Sequence, residues 1–140
     1  MDIIVKLKDL PKDDNIPGII VRRAQLGEKG KVQKWIQHFF GSDWADEACM
    51  GFSNDPISVY LAIRDKTIVG FSAYECVSHG YFGPIGVEDS SHKKGIGKLL
   101  LLRGLKDLSE LNYNLGVIPD VGDSIGFYKH VLGPSLLRIY

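Results

Sequence analysis

The stretch SSHKKGIGKLLL, residues 90–101, sets Gly95 and Gly97 one residue apart among His92, Lys93, Lys94 and Lys98, just ahead of a leucine run. The first backbone N–H groups of a helix lack internal partners and sit at the positive end of its dipole. Glycine lets the chain turn sharply there and removes the Cβ that would hold a ligand away. With cations around it, such a helix start suits an anion, and a pyrophosphate above all. The same residues also make an ordinary glycine-containing turn with solvated lysines, and the stretch alone leaves both readings open. It does not fit the familiar nucleotide signatures. Lys98 is followed by Leu99 where a phosphate loop needs Ser or Thr, and His92 stands in place of that loop's first glycine. Leu100 takes the third glycine position of the dinucleotide pattern.

The rest of the chain bounds what such a loop can serve. With 140 residues, 44% of them hydrophobic and 24% charged, it is sized and composed for one soluble domain with a real core. Seventeen basic side chains balance seventeen acidic ones, which argues against a general nucleic-acid or anionic-membrane binder. Cys49 and Cys76 have no metal-like spacing and read as reduced thiols, so no metal is expected. The opening MDIIVKLKDLPKDD has no continuous apolar core, and no run approaches the ~20 apolar residues of a membrane span. A cytoplasmic protein is the expectation.

The positioning elements follow from periodicity. Ile3–Leu7 alternates and is stopped by PKDDNIPG, so residues 1–18 are expected to be an extension that packs loosely or adds an edge strand. A domain over 19–140 follows. GIIVRRAQ is a strand, EKGKVQKWIQHFF a helix, and SDWADEACMGF a shorter helix. ISVYLAIRD and TIVGFSAYECV make a hairpin turning at Asp65–Lys66. YFGPIGV is a strand made irregular by Gly83, Pro84 and Gly86. The leucine-rich GIGKLLLLRGLKDLSELN is the main buried helix, followed by the strand YNLGVIP, the helix SIGFYKHVL and the strand SLLRIY. This order predicts an α/β fold of the α+β kind, with a mixed, mostly antiparallel sheet flanked by helices. It places the glycine loop between a central strand and the main helix, where open sheets bind ligands.

At this point the sequence resembles the GNAT superfamily of acyl-CoA-dependent N-acyltransferases. Its pyrophosphate loop, [RQ]-x-x-G-x-[GA], aligns with His92-Lys93-Lys94-Gly95-Ile96-Gly97. YFGPIGVEDSS is similar to FGPxGV strands of one bacterial branch, and GFYKHVLG to the family's tyrosine helix. His92 departs from the expected Arg or Gln, and weakened or pH-sensitive cofactor affinity is the expected consequence. The resemblance covers about residues 19–140 and implies that the fourth and fifth strands splay apart.

The resemblance also implies an N-acetyltransferase moving an acetyl group from acetyl-CoA to a primary amine of a small molecule or peptide, without a metal. Amides of Lys93, Lys94, Gly95, Ile96, Gly97 and Lys98 would surround the pyrophosphate, with His92 beside them. The pantetheine arm would pair along Ile85, Gly86 and Val87, and the Val87 N–H would polarise the thioester carbonyl. Tyr128 takes the general-acid position, since a thiol near ~8.5 and a tyrosine near ~10 lie close enough to exchange a proton. Glu75, His79 and Glu88 are candidate bases, with Glu75 preferred. Trp44 with Asp43, Asp46 and Glu47 could receive a cationic amine, although a capped helix start with a packed tryptophan explains them equally well. A non-catalytic acyl-CoA sensor or partner-binding module on the same fold is the alternative, and a homodimer is left open.

Overall fold

The hairpin seen in the sequence is the spine of the fold. β3 (Val59–Arg64) and β4 (Thr67–Tyr74) are joined by Asp65 and Lys66, with φ of 49° and 64°, the two-residue mirror-image turn whose twist matches that of its strands. The computed structural model describes residues 1–92 and 95–140. β2 (Ile20–Arg23) pairs with β3, and β5 (Phe82–Val87) with β4, giving an antiparallel sheet ordered β2-β3-β4-β5. Helices cover both of its faces, so β4 is buried from Ile68 to Tyr74. On one face lie α1 (Lys29–Phe40) and α2 (Ser42–Cys49), packing Val32, Ile36, Ala45 and Ala48 onto Leu61 and Phe71. On the other lies α3 (Ile96–Glu110), whose Leu101, Leu105 and Leu108 are fully buried, as their spacing requires. α4 (Ile125–Leu132) packs Tyr128, Val131 and Leu132 into the same core. No helix among the described residues is long and apolar enough to cross a membrane.

A second sheet, ordered β6-β1-β7, contains β6 (Leu115–Ile118), β1 (Ile3–Lys6) and β7 (Leu136–Ile139). Here one expectation fails. The N-terminal strand is neither loose nor at an edge: it is the centre of this sheet, antiparallel to both neighbours. Ile3 and Val5 are fully buried, and Asp2 and Tyr140 exchange backbone hydrogen bonds at 3.1 and 2.8 Å. The residues that follow run along α3, where Arg103 bonds Asp13 at 2.5 Å.

A polar cluster fixes α3 to the first sheet. One carboxylate oxygen of Asp107 accepts from Arg23 Nη2 at 2.8 Å and from the hydroxyls of Tyr60 and Tyr74 at 2.7 Å each. Arg23 also donates to the Ile57 carbonyl at 2.7 Å. Desolvation, reinforced by the bond to Asp107, pushes the Tyr60 hydroxyl up to about 12. Three strands are thereby tied to the last turns of α3, which sets where its first turn stands. Asp107→Ala would leave two buried hydroxyls and a guanidinium without their shared acceptor, at a cost of about 2–4 kcal/mol. Tyr60→Phe removes one donor to Asp107 and one acceptor of Arg23, both of which keep other partners, and should cost about 1 kcal/mol. Urea unfolding of both variants checks the ordering, and equal losses would contradict it.

Candidate active site

β5 and β6 meet at one point. The bridge between the two sheets joins Tyr81 to Val117 in parallel, with the Val117 amide donating to the Gly80 carbonyl at 3.0 Å. Beyond that point the strands share no ladder. A cavity of about 830 Å³, within the range of small-molecule sites, occupies the wedge between β5, the end of β6 and α4.

β5 supplies a wall of main-chain donors. The Glu88 amide donates to the Val69 carbonyl at 2.9 Å and continues the ladder with β4. Alternate residues of a strand turn their polar groups to opposite edges, so the amides of Ile85 and Val87 face away from β4, towards the cavity. The Val87 carbonyl points the same way and accepts from His92 Nε2 at 2.6 Å. Gly86 lies flush against the ring of Phe40: a Cβ there would stand 2.6 Å from the ring, so only glycine lets the end of α1 close over this strand.

The loop after β5 is shaped by Glu88. Its carboxylate accepts from the Ser90 amide at 3.0 Å and from the hydroxyls of Ser90 and Ser91, with Arg64 at 3.7 Å. The bonds from Ser90 and then Ser91 hold its carboxyl below the usual glutamate range. Gly95, in the left-handed conformation at φ 81°, is the N-cap of α3, and no described side chain caps the helix. The Leu99 amide takes the Gly95 carbonyl at 3.1 Å, which leaves the amides of Ile96, Gly97 and Lys98 without helical partners. The Ile96 side chain is buried in the core, so only its amide can serve a ligand. His92, Gly95, Gly97 and Lys98 line the cavity together with Ile85, Gly86 and Val87. Lys93 and Lys94 lie outside the described residues.

Tyr128 completes the opposite wall. It is 5% exposed, lines the cavity and makes no hydrogen bond among the described residues. Every fully buried side-chain nitrogen and oxygen described has a partner, so the unpartnered hydroxyl keeps access to the cavity. Burial pushes it up to about 12.

Glu75 is not brought to this site. It stands beside the point where β5 and β6 meet, at φ 57°, and its carboxylate accepts from the Gly80 amide at 2.5 Å and the Tyr113 hydroxyl at 3.2 Å. His79 Nδ1 lies 3.2 Å from the same carboxylate, and its ring is otherwise exposed. Glu75 therefore pins the vertex of the wedge, holding the start of β5 to the segment that enters β6. Glu88 is committed to its serines. Of the acceptor candidates, Trp44 and Glu47 line the cavity, whereas Asp43 and Asp46 do not. The structure adds Phe40, Val77, Asp120 and His130 to the lining, none of which spacing or motif distinguished.

The sequence matches the model of the Acetyltransferase (GNAT) family over residues 27–133, and the chain belongs to that family. No curated protein sequence matches it significantly. Among solved structures it is similar to a glucosamine N-acetyltransferase region of a fungal multi-domain β-N-acetylglucosaminidase, at TM-score 0.74 and 15% identity, over 94% of this chain and 19% of that one. A GCN5-related N-acetyltransferase from Sphaerobacter thermophilus gives TM-score 0.69 and 20% identity over 84% of this chain and 40% of that one. An aminoglycoside acetyltransferase from an uncultured soil metagenomic sample, solved with trehalose, gives TM-score 0.64 and 15% identity over 88% and 93%. The likeness is one of fold, and the chain spans less than half the length of the first two.

Two outcomes follow from the carboxylates. Glu75→Gln, which keeps an acceptor for the Gly80 amide, should retain the wild-type pH–rate profile, whereas Glu75→Ala should lower the melting temperature; a collapsed rate in a stable Gln variant would restore Glu75 as a base. Glu88 has a folded-state value below its unfolded one, so its stabilisation is present above the ordinary range near ~4.3 and lost as pH falls through the folded value. The stability gap between wild type and Glu88→Gln at pH 7 should accordingly close in acid, as followed by thermal melts across pH.

Proposed function

We propose that the protein transfers an acetyl group from acetyl-CoA to a primary amine, with Tyr128 beside the leaving sulfur. One observation carries this: a helix start with no described side-chain cap, a strand edge with free amides and the unpartnered hydroxyl of a largely buried tyrosine converge on one cavity. The amides of Ile96, Gly97 and Lys98, with the Lys98 ammonium, suit a pyrophosphate. The free edge of β5 suits an extended arm bearing amides of its own. Acetyl-CoA supplies a thioester: the carbon–nitrogen bond forms, the carbon–sulfur bond breaks, the amine gives up one proton to water and the sulfur gains one.

The Val87 amide would donate to the carbonyl oxygen as charge builds there, and that of Ile85, two residues along the same edge, would serve the arm. Tyr128 acts differently from a tyrosine of ordinary acidity. Burial pushes its hydroxyl up to about 12, above the ~8.5 of an ordinary thiol, so complete proton transfer to the sulfur is uphill. It serves the departing sulfur chiefly as a hydrogen-bond donor, and it stays protonated at any working pH. A hydroxyl held in this position favours a catalyst over a silent acyl-CoA sensor. Two similar structures bear names that denote amine acceptors on sugar rings, a glucosamine and an aminoglycoside, which supports an amine acceptor here.

Tyr128→Phe, which removes one donor to developing charge, should lower kcat about 10²-fold or more and leave the Kd for CoA within about twofold, read by thiol release and by calorimetry. Equal losses in both, or in neither, would remove Tyr128 from the mechanism.

A further inference from the structure

The two ends of the cavity carry side chains of opposite charge type although the chain as a whole is neutral. At the loop it carries His92, Lys98 and unpaired amides; at the α2 end it carries Glu47, and Asp120 follows β6. Among the described residues, neither the Glu47 nor the Asp120 carboxylate takes part in a hydrogen bond or ion pair. The unpartnered hydroxyl of the largely buried Tyr128 faces the same space. Between the two ends lies an aromatic surface. Phe40 rests on Gly86, Trp44 stacks on Phe40 with centroids 5.4 Å apart at 22°, and the fully buried Phe71 supports both from beneath. Trp44 is 38% exposed despite this support. Trp44 and Glu47 are one turn apart on the same face of α2, so a ring laid on the tryptophan would place an attached ammonium within reach of the carboxylate.

We infer that the acceptor is a small primary amine whose cation is carried on an apolar ring, with Glu47 as the residue that selects it. The assignment rests on acyl-CoA occupying the same cavity. Glu47 draws in the ammonium form, the Trp44–Phe40 surface seats the ring, and the ammonium loses one proton to water before the nitrogen attacks. An amine that carries its own carboxylate is repelled at the same place, and a small amine without a ring gains only the charge.

The test compares phenethylamine, ethanolamine and glutamate as acceptors for the full chain at saturating acetyl-CoA, in wild type, Glu47→Gln and Trp44→Ala. Phenethylamine should exceed the other two in kcat/KM by at least tenfold. Glu47→Gln should cut that value at least tenfold, mainly through KM, and narrow the discrimination against glutamate, while the Kd for CoA stays within twofold. If CoA binds normally and phenethylamine is not preferred, or Glu47→Gln leaves its KM unchanged, this assignment is overturned and the acyl-CoA reading stands. If wild-type protein fails to bind CoA, both fall.

Discussion

The molecule depends on a separation that neither of its sheets can close. β5 belongs to a ladder held from both faces by helices, and β6 to a ladder centred on β1. They share one bridge, at Tyr81 and Val117, and each then follows its own sheet. Bringing them together would break hydrogen bonds on one side or the other, so the wedge is a built feature of the resting fold. A strand edge with free donors is ordinarily a hazard for unwanted pairing. Here it faces the cavity, across from α4.

Main chain and side chains divide the work of that wedge. The anion end is made of peptide dipoles and a helix terminus, which need no particular residue beyond the glycine that opens the turn. That explains how His92 can stand where relatives in the resemblance carry Arg or Gln: its ring bonds the Val87 carbonyl and so ties the loop to the strand edge. The other end is made of side chains, Phe40, Trp44 and Glu47, whose chemistry depends on residue identity.

Much of this was legible from residue order. The mirror-image turn at Asp65–Lys66, the leucine face of α3 and the broken rhythm of FGPIGV each act over a few residues, and local rules read them correctly. What failed was non-local. Ile3–Lys6 looks the same whether it lies at an edge or a centre, because only its partners near Ile118 and Ile139 decide the matter. Glu75 suited a base by its place on a strand next to the cleft. Its φ of 57° and its bond to the Gly80 amide turned it to the vertex instead. The acidity of Tyr128 was judged from an exposed phenol, and burial widened the gap to the thiol. Phe40 gave no sign of its role, since nothing in an aromatic run tells which ring will meet a glycine on a distant strand.

The central position of β1 also governs how the chain is made. Ile3 and Val5 are made well before their partners, so their seats exist only after Ile118 and Leu136 have emerged. The first sheet and its helices can assemble during synthesis, while the leading strand waits as an unpaired apolar segment, a state that favours chaperone capture. The wedge therefore takes shape only once β6 and β7 have been made and β1 has paired between them.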